Sequence, residues 1–358
     1  DAAPLPSKAI LQSMLAEQYS NYLDRFQWQL WNRTEIADYK PEDIRTWSMA
    51  NFIDESSSYY LASVNHPNLD QVNIDQYKAI TSKPNNVDGL RPSLYDFLAH
   101  RALNYFMNDR SFLTEAAYAF EINDDSVFAE AEKFSKQSYT SRDTTSKKLQ
   151  ALQLFQNLLT IHLQDEDPNA LIDADLKRLK FMYDQSVAEN KEELYETALK
   201  KLETKYQNIP ASTEVMAKLA NLYMRKSYDG NEESEGKWNY KTANEYCEKA
   251  IAKFPKSFGA DECRNIQTNL KRKELTVTTE QVNPSQQAIL ASIEYRNVNT
   301  LFSKVAKLSP NDAEKLEEME YDKRLPFLNK LPVVQTATYQ MPNDGDLRNH
   351  TTEVKIDP

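Results

Sequence analysis

From Ser7 to the early 270s apolar side chains recur at every third or fourth position, and beyond that point at every second. The first spacing predicts helices. Leu11, Leu15, Tyr19, Tyr22, Phe26 and Leu30 share one stripe, which predicts a long amphipathic helix from Ser7 to about Arg33 with Ser7 as its N-cap. A second helix follows Pro41 through Trp47, Phe52, Tyr59 and Tyr60, with Pro41, Glu42 and Asp43 suited to a first turn. The stretch 65–86 is polar and broken by Pro, with room for a short helix around Ile74 to Ile80. Residues 93–107 carry a broad stripe interrupted by Arg101, and 110–141 reads as a loop crossing the helical array. Helices are predicted again at 144–163, at 169–188 with Pro168 in the first turn, and at 191–206.

After Leu275 Val, Thr, Ile and Tyr dominate, and alternation predicts strands within 275–282, 287–298, 300–308, 333–342 and 350–357. The acidic stretch 311–330 is expected as a helical or loop insertion, and 343-NDGD-346 as a turn. The expected domains are an α-helical array over 1–274 and a β unit over 275–358 that stops short of a closed sandwich. About seven strands cover both inner faces of such a sandwich, and this unit supplies five at most. An exposed edge or open face and a truncated chain are therefore expected.

Composition narrows the function more than the fold. A formal net charge of −11 opposes a general nucleic-acid surface, and the densest basic run, Lys271-Arg272-Lys273, is too short to reverse that. Five glycines against fifteen prolines fit helices punctuated by Pro, and the twenty tyrosines are expected mainly in a helical core. No run approaches the length of a transmembrane helix. The start 1-DAAPLP-6 has neither a basic nor an apolar signal region, which suggests a processed or trimmed product.

Catalytic signatures are missing. There is no H-E-x-x-H, G-x-S-x-G, phosphate-binding glycine loop or calcium loop, and neighbouring pairs such as Glu192-Glu193 and Glu317-Glu318 diverge on a helix. His66, His100, His162 and His350 stand singly, so neither a metal nor a cofactor is expected. His100 and Arg101 are read as a structural groove edge, and the sequons at Asn32 and Asn349 as chance matches. Cys247 and Cys263 are either free and buried or paired across neighbouring helices.

Small residues between helices supply the first resemblance. Ala220 lies between Leu219 and Tyr223, while Ala243, Cys247, Ala250 and Pro255 stand 4, 3 and 5 apart, an arrangement similar to the tetratricopeptide repeat. The intervening 226-KSYDGNEESEGKWN-239 is longer than that repeat requires, and 174–206 reads as a degenerate repeat. The concave face of such a solenoid offers Asn221, Tyr223 and Arg225 to a basic or neutral partner, with Trp238 as an exposed aromatic beside the acidic loop.

A second resemblance spans most of the chain. The stretches 4-PLPSKAILQSMLAE-17, 90-LRPSLYDFLAHRALNYF-106, 295-YRNV-298 and 331-LPVVQTATYQMPNDGDLRNHTTEVKIDP-358 resemble the amino-terminal region of the large alpha-2-macroglobulin-like proteins of Bacteroidetes. The resemblance implies a periplasmic or outer-membrane-associated, protease-trapping protein, in which 275–358 begins the first macroglobulin-type β-sandwich. Its partners would be the following macroglobulin-type domains and an envelope protein or protease. The Cys-x-Glu-Gln thioester motif has no counterpart, since Cys247 precedes Glu-Lys-Ala and Cys263 precedes Arg-Asn-Ile. The expected fold class is therefore α+β, an irregular tetratricopeptide-like α-solenoid followed by an incomplete macroglobulin-type β-sandwich. The expected role is a non-enzymatic scaffold, the alternative a glycan- or peptide-binding helical module of the outer membrane.

Overall fold

The computed structural model describes residues 4–33, 42–81, 89–108, 119–143, 145–227, 235–280, 282–284 and 287–357. Pro41, the polar residues 82–86, the first part of the 110–141 loop and the centre of the acidic 226–239 loop lie outside the described residues. The architecture is α+β, helices first and an unclosed pair of sheets afterwards. Contacts divide the chain into two compact units, 1–215 and 216–358, while the first strand starts only at Glu274. The last helices thus belong to the same unit as the sheets. No helix among the described residues is long and apolar enough to cross a membrane.

In the first unit α1 (Ser7–Leu30) packs against α2 (Met49–Val64) through aromatic rings. Tyr22 stacks on Phe52 with centroids 4.9 Å apart, and Tyr19 stacks on Trp47 at 5.4 Å. Serines fix the starts of the helices that follow. Ser48 and Asn51 form a reciprocal capping box on α2, as do Ser93 and Asp96 on α3 (Leu94–Phe106). The short α4 (Ala131–Phe134) precedes α5 (Lys147–His162), α6 (Asn169–Gln185) and α7 (Lys191–Lys205).

Several helix ends depart from the expected positions. Pro6, not Ser7, holds the N-cap position of α1, and no side chain caps it. Pro168 likewise stands at the N-cap of α6 instead of inside its first turn. α6 ends at Gln185 because Ser186 turns extended, and the amide of Val187 donates to the carbonyl of Ile122 at 3.0 Å. Ile122 is part of the crossing segment, whose described residues 119–143 bury Ile122, Val127, Phe128 and Phe134 against the helices.

One buried cation holds that segment down. Arg178 on α6 is fully buried, pairs with Asp175 at 2.8 Å, and donates to the carbonyls of Val127 and Ala129, the latter at 2.8 Å. Its guanidinium also lies 4.3 Å from the centre of the Phe134 ring. Burial lifts the Asp175 carboxyl above the ordinary carboxylate range, against the pull of Arg178.

The second unit is built on α8 (Ser212–Lys226), which runs across the division, and on α9 (Asn239–Lys253) and α10 (Phe258–Leu270). Met216, Ala217, Ala220, Ala243, Cys247, Ala250, Cys263 and Ile266 form their shared core. Strand β1 (Glu274–Thr279) pairs antiparallel with β2 (Ile289–Arg296), which pairs antiparallel with β5 (His350–Ile356). β3 (Thr300–Ala306) and β4 (Val333–Gln340) form a separate antiparallel pair. The turn after β2 therefore passes between sheets and does not close a hairpin. Asn297 makes that turn possible with a left-handed backbone (φ 55°), and its side-chain amide donates to the carbonyls of Leu270 at 2.7 Å and Arg272 at 3.0 Å. Between β3 and β4 the acidic stretch forms α11 (Pro310–Glu318) and α12 (Tyr321–Leu328), neither of which has a buried residue.

Removing Arg178 strands a carboxylate and two carbonyls in the core. Arg178→Met is expected to destabilise the protein by about 3–5 kcal/mol, read as a lower urea midpoint. Adding Asp175→Leu is expected to recover much of the loss, and an equally unstable double variant would contradict the assignment.

Candidate functional site

The uncovered surface of the β unit follows from its register. Leu275, Val277 and Thr279 of β1 pair with Tyr295, Ile293 and Ala291 of β2, which in turn pair with His350, Thr352 and Val354 of β5, so all lie on one face. The opposite face is mostly polar, with Thr276, Thr278, Ser292, Glu294, Thr351 and Glu353 around an exposed Leu290. On the apolar face Ala291, Ile293, Tyr295 and Val354 are buried with Leu301 of β3, Tyr339 of β4 and Met341 just after β4. That cover does not reach β1, where Leu275 is 46% and Val277 52% exposed. The small sheet itself presents Phe302, 76% exposed, and Val334, 69%, on its outer face. Tyr321 and Leu325 of α12 are also open.

The four residues singled out from the sequence lie in the same unit. Asn221 is exposed on α8, while Tyr223 and Arg225 are half-buried. Tyr223 stacks on Tyr246 of α9 at 5.8 Å and packs against the three-helix core, so it contributes structure as well as surface. Trp238 stands at the N-cap of α9, 44% exposed, with the amines of Lys237 and Lys241 5.2 and 5.3 Å from its ring centre. Lysines on the ring give it cation–π partners and compete with a stacked ligand.

Asp344, Asp346 and His350 come together where sequence reading saw an isolated histidine and a turn. His350 Nε2 lies 2.9 Å from Asp346, which also accepts the Arg348 amide, and Lys237 forms an ion pair with Asp344. That hydrogen bond holds the Asp344 carboxyl below its usual range. The cluster thus already has internal cations and donors. The spacing of Asp346 and His350, four apart, was the available signal; the Lys237 partner was not legible.

The helical unit has a polar cleft of about 210 Å³ between α1, α2 and α3, lined by Glu17, Asn21, Asp24, Tyr60, Arg101 and Asn104. Arg101, expected at a groove edge, binds Ser13 at 2.8 Å and Glu17 at 2.9 Å across the helices. Beneath the cleft Lys177 donates to Asn104 at 2.8 Å and lies 3.4 Å from His100 Nδ1. Burial first and Arg91 second push the Lys177 amine down to about 8, opposed by Asp173, so it exchanges protons nearer neutrality than an ordinary lysine. Burial also drives the His100 imidazole well below its ordinary value, helped by Lys177, Arg91 and His162.

His162 behaves oppositely. It is buried with Asp96 at 2.9 Å on one nitrogen and Asp165 at 2.7 Å on the other, although the Asp96 contact is poorly aligned for a hydrogen bond. Burial alone would lower the imidazole, but Asp96 and then Asp165 outweigh it and hold the group above its ordinary value. Asp96 meanwhile caps α3, so one carboxylate fixes both the helix start and the end of α5. These buried groups form a titratable network of Lys177 with His100 and of His162 with Asp96 and Asp165. No family model, curated protein or solved structure matches the chain.

The two histidines predict opposite pH signatures. The contribution of His162 is complete below its ordinary value of 6.5 and fades as pH rises through its higher folded value. Neutral His100 is favoured by folding, so its stability term holds above 6.5 and falls away as the pH drops below it. The melting-temperature gap between wild type and His162→Gln should therefore shrink with rising pH, while the gap to His100→Gln should widen. Parallel pH curves for all three proteins would refute the pairing.

Proposed function

We propose that this chain is a non-enzymatic scaffold whose β unit receives further β-structure, as the amino-terminal region of an envelope protein of the bacterial alpha-2-macroglobulin-like type. The observation that supports it is the half-covered apolar face. Nature rarely leaves adjacent Leu and Val of an inner sheet face in water unless another surface meets them. Here Leu275 and Val277 continue the face that buries Ile293 and Tyr295. In this reading the helices, of an irregular tetratricopeptide-like kind, carry the sheets, and following macroglobulin-type domains complete them. A periplasmic or outer-membrane-associated location and a protease-trapping role belong to the same proposal and rest on the resemblance of the quoted stretches.

A second reading draws on the cleft between α1 and α3. Tyr60 stacks on Tyr105 at 4.9 Å beside Arg101, Glu17 and Asn104, which suits a small polar ligand such as a sugar or a peptide end. A glycan or peptide array separates the readings, since loss of binding in Asn104→Leu but not in Trp238→Ala would place the ligand in the cleft. Absence of any array signal from the wild type would remove this second reading.

The scaffold reading is tested on the reading frame past the codon for Pro358 and on the surface itself. In-frame β-sandwich segments are expected after it, and an immediate stop codon would sink the proposal. Leu275→Lys with Val277→Lys is expected to change the stability of the isolated chain by no more than about 0.5 kcal/mol while abolishing binding of the following segment supplied in trans. Ile293→Ala should cost about 2–4 kcal/mol in the same denaturation assay. Unimpaired association of the lysine variant would show that this face is not the docking surface.

A further inference from the structure

We propose that Cys247 and Cys263 form an intramolecular disulfide that ties α9 to α10 when the protein meets a disulfide oxidant. The chain has two cysteines, and folding brings both into one buried core. Each is completely buried, and their thiols hydrogen-bond to one another. Cys247 lies on the α9 stripe with Ala243 and Ala250, and Cys263 on the α10 stripe with Ala260. Those small neighbours let two helices approach closely, and close approach is what a disulfide needs, with Cα atoms within about 7 Å. The helices are joined by the short connection 254–257, so the bond would close a tight helical hairpin. This inference is independent of the scaffold reading.

The shared hydrogen bond belongs to the folded hairpin, and either sulfur can react first once the hairpin opens. Cys247, donating to Cys263 and buried, is held above the ordinary thiol range, whereas the same bond eases Cys263 toward the thiolate. In the open hairpin one of the two thiols attacks, as its thiolate, one sulfur of a low-molecular-weight disulfide and expels the first thiolate, which takes up the proton the attacking thiol gave up. The other cysteine then loses its proton and attacks the protein sulfur of the mixed disulfide, expelling the second thiolate, which takes up that proton. Two S–H bonds are lost, one S–S bond forms, and the oxidant disulfide is reduced by two electrons to two thiols. Because both sulfurs are buried, the exchange takes place while the hairpin is open, during folding or local unfolding.

The position of the bond gives it a consequence. Leu347 packs on the same helical core, and Asn297 binds the carbonyl of Leu270 at the end of α10. Closing the hairpin therefore fixes the helices from which both sheets hang.

The test uses the wild-type chain, refolded from urea with glutathione disulfide, trapped by alkylation and read by peptide mass spectrometry. The expected product has no free thiol, carries no glutathione, is two hydrogens lighter, and contains a linked Cys247–Cys263 peptide. Its melting temperature should stand several degrees above that of the reduced chain and return with dithiothreitol. Cys263→Ser should form no linked peptide and show no rise in melting temperature on oxidation. Two thiols that still alkylate after refolding, thiol loss through glutathione adducts or linked dimers, or a linked form that melts lower than the reduced one would each overturn the proposal.

Discussion

The second unit depends on one constraint: an apolar sheet face has to be kept from water along its whole width. Here the cover is narrower than the sheet. The pair β3–β4 and Met341 shield β2 and β5, where Ala291, Ile293 and Tyr295 are buried, but not β1. The register makes the mismatch unavoidable, because Val277 and Ile293 are direct partners and must point the same way. The solvated edge strand follows from that width difference, and the outer face of the small sheet and the two connecting helices are exposed as well.

The first unit is governed instead by buried charge. Arg178 adds directed hydrogen bonds to Val127 and Ala129 to the apolar packing of the crossing segment, and His162 joins α5 to α3 through Asp96. Such contacts define geometry more than they add stability, since desolvation offsets most of the attraction. They explain how a segment with little regular structure is held at a fixed place on the helices. The polar cleft meets a third cation, Lys177, through Asn104, which lines the cleft and accepts from its amine.

What could be read from the sequence was periodicity, and therefore element type and face. Alternation located the runs that form β1 to β5, since Val, Ile and Tyr at every second position leave few other arrangements. It could not show that β3 pairs with β4 while β2 pairs with β5, because period reports a face and not a neighbour. α6 stops three residues early for a tertiary reason, the Ile122–Val187 backbone bond. The candidate sites divide in the same way. Asp175 with Arg178 and His162 with Asp165 stand three apart, a local signal that the reading of His162 as an isolated residue passed over, while Asp96, Val127 and Lys237 reach their partners only through the fold. Tyr223 shows the reverse case: a residue chosen as surface is partly committed to stacking on Tyr246.

The open flank of β1 is most directly tested by thiol labelling of single cysteine substitutions in the isolated chain. Val277→Cys should react with a maleimide nearly as fast as an unfolded peptide, while Ile293→Cys, its partner across the ladder, should be protected. Equal protection at both positions would mean that the chain covers β1 by itself, and the account of an unfinished face would fail.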